Sequence, residues 1–181
     1  MRNVVLYQLL SLDGVAEEPG DWMGDAGPEV FDNLARVIGT QDTVLLGHGT
    51  FDYWVDYWPS SDVEPFASFV NSTPKYVYAS STTGKEWENS TVVSTSATEH
   101  VAQQRASSGG DIGIHGSIDL ARSLWRAGLI DRLELVVAPT VAGSGRRLFD
   151  DPGALTPLDL VEVSRSSGGA LFLTYGSPPS R

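Results

Sequence analysis

Short apolar runs alternate along the chain with amphipathic stretches, and turn residues separate them. Val4 to Leu10 is almost continuously apolar, the pattern of a strand buried on both faces. It ends in Ser11-Leu12-Asp13-Gly14, a turn signal, and residues 15–27 read as a long loop rich in Gly, Asp and Glu. Pro28 opens a helix in which Val30, Phe31, Leu34, Val37 and Ile38 share one face, and Gly39 marks its stop. Thr43-Val44-Leu45-Leu46-Gly47 is a second buried strand, which His48-Gly49-Thr50 turns into a short helix carrying Phe51, Tyr53 and Trp54. Residues 75–79 and 91–93 read as strands three and four, and Ser96-Ala97-Thr98-Glu99 matches a capping box that starts another helix. Asp111-Ile112-Gly113-Ile114 is the fifth strand. After His115-Gly116-Ser117 a helix is predicted over 118–127, stopped by Gly128. Residues 132–137 alternate in polarity and predict a strand half-facing water. Residues 158–164 and 170–175 flank Ser166-Ser167-Gly168-Gly169 and read as a closing hairpin. The order predicts a single α/β domain over residues 1–181: a mixed, mostly parallel eight-stranded sheet, helices on both faces and a C-terminal antiparallel hairpin.

Composition narrows the function. The 181 residues carry 12 Lys and Arg against 23 Asp and Glu, a net charge of −11. Such a surface repels nucleic-acid backbones and anionic lipid, so neither nucleic acid nor membrane is an expected partner, while a small anionic ligand held by local amides still fits. With no cysteine, disulfides, Cys metal sites and thiol catalysis are excluded. His48, His100 and His115 lack zinc spacing, and no metal is expected. No apolar run approaches the roughly 18 residues of a membrane span. Residues 1–7 read as a first strand and not as a signal peptide, so the expected location is cytoplasmic.

Three strand-to-turn junctions carry candidate chemistry, each at the carboxyl end of a predicted parallel strand, where open α/β sheets bind ligands. In Gly47-His48-Gly49-Thr50 the glycines allow close backbone approach, a helix N-terminus offers N–H groups, and the Thr50 hydroxyl adds a donor. His115-Gly116-Ser117 repeats that design, and Gly116 is expected to keep open the space a phosphate needs. At the third junction, Ser80 and Ser81 precede Thr82, Thr83, Gly84 and Lys85 and suit a ribose phosphate. Each junction also fits a plain polar turn with a helix cap. None matches the three-glycine dinucleotide fingerprint or the P-loop, and no nucleophile elbow or EF-hand loop is present. The aromatics Phe51, Tyr53, Trp54, Tyr57 and Trp58 suit a pocket wall or a subunit interface.

Taken as a series, Ser11-Leu12-Asp13-Gly14, Asp21-Trp22, Leu46-Gly47-His48-Gly49-Thr50-Phe51, Tyr57-Trp58-Pro59 and Pro74-Lys75-Tyr76-Val77 resemble the dihydrofolate-reductase-like superfamily. The stretch from Gly116-Ser117 through Gly128-Leu129-Ile130-Asp131 to Leu148-Phe149, with Gly169-Ala170-Leu171-Phe172-Leu173-Thr174-Tyr175, is closest to the reductase domain of bifunctional riboflavin-biosynthesis deaminase-reductases. The resemblance implies an NADPH-dependent reductase of a small heterocycle of pterin, pyrimidine or riboflavin-precursor type. The alternative is a non-catalytic ligand-binding protein on the same fold. It implies cofactor contacts at Leu12, Gly47, His48, Gly49, Thr50, Ser80, Ser81, His115, Gly116 and Ser117. It places Asp13 and Asp32 where either supplies the proton that accompanies hydride transfer, with Phe31 an equal fit for the Asp32 register. His48 stands where the family has an arginine for the 2′-phosphate of NADPH, which makes NADH possible. Relatives of this shape imply a homodimer, with residues 139–149 and 54–59 as the expected interface.

Overall fold

Val4–Leu10 forms strand β1, buried at six of its seven positions, as its apolar run predicts. The computed structural model describes residues 1–80, 84–150 and 155–176. After β1 come helices α1 (Pro19–Trp22) and α2 (Glu29–Ile38), strand β2 (Gln41–Gly47) and helix α3 (His48–Trp54). Helix α4 (Phe66–Ser72), strands β3 (Lys75–Tyr78) and β4 (Ser90–Val93), and helix α5 (Ala97–Ala106) follow. The chain continues through β5 (Asp111–His115), α6 (Ile118–Arg126), β6 (Arg132–Val137), β7 (Asp159–Arg165) and β8 (Leu171–Gly176).

The eight strands form one sheet in the order β4-β3-β2-β5-β1-β6-β8-β7. Strands β1 to β6 are parallel, and β8 runs antiparallel between β6 and β7, which is the predicted closing hairpin. Helices cover both faces. Leu6, Leu45, Ile112, Ile114 and Leu133 pack under α5 and α6 through Val101, Ile118, Ala121 and Leu124. On the other face, Val44, Leu46 and Val77 pack with Phe51 of α3 and with Phe66 and Val70 of α4. Val5, Tyr7, Val136 and Phe172 pack there against Val37 of α2.

Several local expectations change. Residues 15–27 contain α1, and α4 arises from a Phe66/Phe69/Val70 stripe that carries no cap signal. Ser96 does not cap α5; its hydroxyl lies 2.8 Å from the Thr98 hydroxyl. Strand β6 does not half-face water. It lies inside the sheet, and Glu134 is buried because the Arg36 guanidinium of α2 donates to it at 2.8 Å and the Thr174 hydroxyl donates at 2.8 Å. Residues 139–149 are mostly exposed, with Val141 and Phe149 among the exposed apolar side chains, and are anchored to the chain at their end. Leu148 is buried, Phe149 lies 5.5 Å from the Trp125 ring, and Arg122 donates to the Leu148 carbonyl at 3.0 Å. The edge strand β7, paired on one side with β8, is exposed along its whole length and adds Leu160, Val161 and Val163 to the exposed apolar surface.

Candidate functional site

The neighbours β3, β2, β5 and β1 all point the same way, so the four candidate segments at their carboxyl ends fall along one edge of the sheet. The turns after β2 and β5 are bonded to each other. The Gly47 N–H donates to the Ser117 hydroxyl at 2.9 Å, and the Thr50 hydroxyl donates to the Gly116 carbonyl at 3.2 Å. Helices α3 and α6 start from this clasp, and neither N-terminus has a side-chain cap. Their first-turn N–H groups are therefore left without the usual intrahelical or cap partners, which suits an anion.

The two glycines of the clasp differ. At Gly49 no atom lies within 4 Å of where a Cβ would stand, so the backbone there is open to a ligand. At Gly116 that space is filled: φ is +65° and a Cβ would meet Trp54 Cζ2 at 2.7 Å. Gly116 thus allows a left-handed turn under the Trp54 ring and does not hold a phosphate-sized vacancy.

Two candidate side chains turn inward. Ser117 is buried, and its hydroxyl holds Gly47 instead of facing a ligand. His115 is also buried; its Nε2 lies 2.8 Å from Gln41 Oε1, among Tyr7, Phe66 and Phe69. Burial pushes its pKa down to about 3, so the imidazole is neutral and only its backbone borders the clasp. His48 is exposed, with Nε2 3.4 Å from Asp52. Ser80 is exposed just beyond β3, and Ser81 lies outside the described residues. Lys85 donates to Asp56 at 2.6 Å and to the Asp52 carbonyl at 2.7 Å, so on that side Asp52 faces His48 and Asp56 faces Lys85.

At the β1 exit, Asp13 is an anchor. Its carboxylate accepts from the Ser11 hydroxyl at 2.7 Å and from the Ala142 and Gly143 N–H groups at 2.9 and 3.0 Å, with Arg147 at 3.4 Å. The Ser11 hydroxyl, then the Ala142 amide, hold its pKa down to about 2. Asp13 thereby ties the loop after β6 to the β1 exit, with both carboxylate oxygens engaged as acceptors. Leu12 stands exposed beside it, its N–H donating to the Thr140 carbonyl at 2.7 Å. Asp32 is exposed on α2, one residue from the half-exposed Phe31. Between the loops lies a cleft of about 240 Å³ lined by Glu17, Glu18, Asp21 and Trp22 on one side and Ala142, Ser144 and Gly145 on the other. Leu9, Met23 and Val30 are partly buried against the core group of Val5, Tyr7 and Val136, and Leu34 bridges that group to the one holding Trp54 and Trp58.

The sequence did not single out Trp54 as the cover of Gly116, nor the Lys85–Asp56 pair. The i,i+4 spacing of His48 and Asp52 was a readable signal for acids on α3. Among the described residues no three His, Asp or Glu side chains group to hold a metal ion, and no helix is long and apolar enough to cross a membrane.

Residues 2–172 match the model of the RibD C-terminal domain family. The uncharacterized protein YyaP of Bacillus subtilis (strain 168) is 28% identical over 183 residues, covering 96% of this chain and 94% of that one. Among solved structures, a Shewanella sp. PV-4 protein assigned provisionally to riboflavin biosynthesis superposes with a TM-score of 0.79 at 17% identity, covering 98% and 99% of the two chains. The Thermotoga maritima diaminohydroxyphosphoribosylaminopyrimidine deaminase/5-amino-6-(5-phosphoribosylamino)uracil reductase superposes with a TM-score of 0.69 at 13% identity, with 98% of this chain on 57% of that one.

Proposed function

Because this chain belongs to the RibD C-terminal domain family, whose fold is that of a reductase, we propose that it is a stand-alone NAD(P)H-dependent reductase of a small heterocycle. The observation that carries the reading is the clasp: two uncapped helix N-termini at adjacent strand ends, with Gly49 open before them. The donor set fits a dinucleotide pyrophosphate, because backbone N–H groups at two helix starts converge without a competing carboxylate cap. Gly49 and Thr50 would hold it from one side and the first turn of α6 from the other, with Gly47, His115, Gly116 and Ser117 shaping the clasp from below. When bound, the nicotinamide supplies the hydride; the chain's own residues orient it and exclude water.

Leu12, at the β1 exit, offers an apolar edge for the nicotinamide ring. Asp32, exposed on α2, is the side chain we assign to the proton route, relaying a proton from ordered water. NADPH is the expected cofactor, and NADH is favoured more than usual because Asp52 and Asp56 face His48 and Lys85 where a 2′-phosphate would seek cations. A second reading, a ligand-binding protein without chemistry, draws on Asp13, whose carboxyl is held ionised. The exposed β7 supports a symmetric homodimer, and the acidic charge disfavours nucleic-acid partners. Titrating NADPH and NADH while following the fluorescence of the five tryptophans tests the reading, since Trp54 lies against Gly116. Binding of neither dinucleotide rejects it.

A further inference from the structure

The charges around the β1 exit say what kind of substrate this site accepts. Among the described residues, every cation near the strand carboxyl ends on the clasp and cleft side already faces a carboxylate. Arg147 lies 3.4 Å from Asp13, Lys85 lies 2.6 Å from Asp56, Arg122 lies 2.6 Å from Asp150, and Arg146 pairs with Asp119. Arg165 ends β7, three strands along from β1, about 14 Å away at the usual strand spacing. It is also in register with Leu171, Val137 and Leu10, which puts it on the face covered by α5 and α6, opposite α2. The one cation outside the described residues is Arg181, the last residue of the sequence.

The cleft itself adds Glu17, Glu18 and Asp21, and Asp32 stands exposed on α2. A phosphate dianion placed there meets like charge and finds only cations already neutralised by acids, whereas an uncharged ring meets Trp22 in the cleft wall, with Leu12 exposed at the β1 exit. Resting on the reductase reading, we propose that the substrate is an unphosphorylated planar heterocycle, neutral or cationic, and that the acidic rim over the β1 exit rejects phosphate esters. This sets the chain apart from the Thermotoga maritima enzyme, whose name specifies a phosphoribosylamino substrate. The reaction that supplies this substrate is then one that leaves or makes a phosphate-free heterocycle, such as a dephosphorylation.

The test is a matched pair differing only in the phosphate: 5-amino-6-(5-phosphoribosylamino)uracil and its dephosphorylated ribosylamino counterpart. Binding of each to the full chain is measured by calorimetry in the presence of NADP⁺, at low salt and again at high salt. The proposal expects the phosphate-free form to bind at least tenfold more tightly, the gap to shrink at high salt, and the double variant Glu18→Gln/Asp21→Asn to narrow it at low salt. Equal or tighter binding of the phosphate ester overturns the proposal, and so does binding of neither form. Dinucleotide titration without substrate separates the outcomes: if NADPH binds while the ratio fails, only the substrate class falls, and if no dinucleotide binds, the reductase reading falls with it.

Discussion

Gly49 and Gly116 belong to the same clasp, and substituting them has opposite consequences. Gly49 is the second residue of α3, its φ is not in the left-handed region, and no atom lies within 4 Å of where a Cβ would stand. Alanine there removes unfolded-state freedom without strain and stabilises by about 0.4–1 kcal/mol, a rise in Tm of a few degrees at most. Gly116 sits at φ +65°, where an L side chain costs about 1–2 kcal/mol. Its Cβ would also press on Trp54 Cζ2 at 2.7 Å. Trp54 cannot retreat freely, because its ring is edge-on to Trp58 at 5.8 Å and to Phe66 at 5.5 Å. Overpacking of this kind adds about 1–3 kcal/mol, so Gly116→Ala is destabilising by roughly 2–5 kcal/mol, a fall in Tm of at least about 4 °C. Gly116 substitutions therefore test the fold, and Gly49 substitutions test the ligand. Gly49→Val should keep the wild-type unfolding transition within a few degrees and weaken NADPH and NADH binding at least tenfold, about 1.4 kcal/mol. Calorimetric titration together with thermal unfolding followed by circular dichroism reads both quantities. Wild-type dinucleotide affinity in Gly49→Val refutes the placement of the pyrophosphate, and an unchanged Tm in Gly116→Ala refutes the packing argument.

His115 gives the chain an acid sensitivity. Its folded pKa of about 3 lies below the ordinary 6.5, so its contribution is complete above pH 6.5 and is lost as pH falls toward 3, by at most about 1.4 kcal/mol per pH unit. Urea unfolding between pH 6.5 and 4.5 should be steeper in wild type than in His115→Gln by up to that slope; equal slopes contradict the buried neutral imidazole. Asp32→Asn should lower turnover at least tenfold, about 1.4 kcal/mol of barrier, with dinucleotide affinity unchanged. Full turnover in that variant assigns the proton to water. Light scattering should give twice the 19.4 kDa chain mass, and the double variant Val161→Lys/Val163→Lys should return it to one chain. A wild-type mass of one chain rejects the β7 dimer.

The succession of strands along the chain, the hairpin and the four strand-end turns were legible because each rests on local signals: apolar runs, glycines and turn residues. Helix α4 was not, since it is only seven residues long, carries just the Phe66, Phe69 and Val70 stripe and has no side-chain cap. Strand β6 misled because its alternating Arg132, Glu134 and Val136 look solvated, while a guanidinium from α2, 98 residues away, makes burial of Glu134 tolerable. The site turns were visible as backbone and invisible as side-chain directions. His115 points inward because Gly113, without a Cβ, leaves room for Gln41 to lie across β5; a Cβ there would meet Gln41 Oε1 at 1.9 Å. Ser117 looked like a helix cap, and only the adjacency of β2 and β5 turns its hydroxyl to Gly47. The Asp13 anchor likewise depends on amides 129 and 130 residues further along the chain.

Amide hydrogen exchange with and without saturating NADPH tests the central claim directly, because it reads backbone N–H groups at the clasp without any assumption about substrate. The account predicts slower exchange at His48, Gly49 and Thr50 after β2 and in the first turn of α6 after Gly116, together with little change along the exposed β7. Unchanged exchange at both turns, or protection confined to another edge of the sheet, contradicts it.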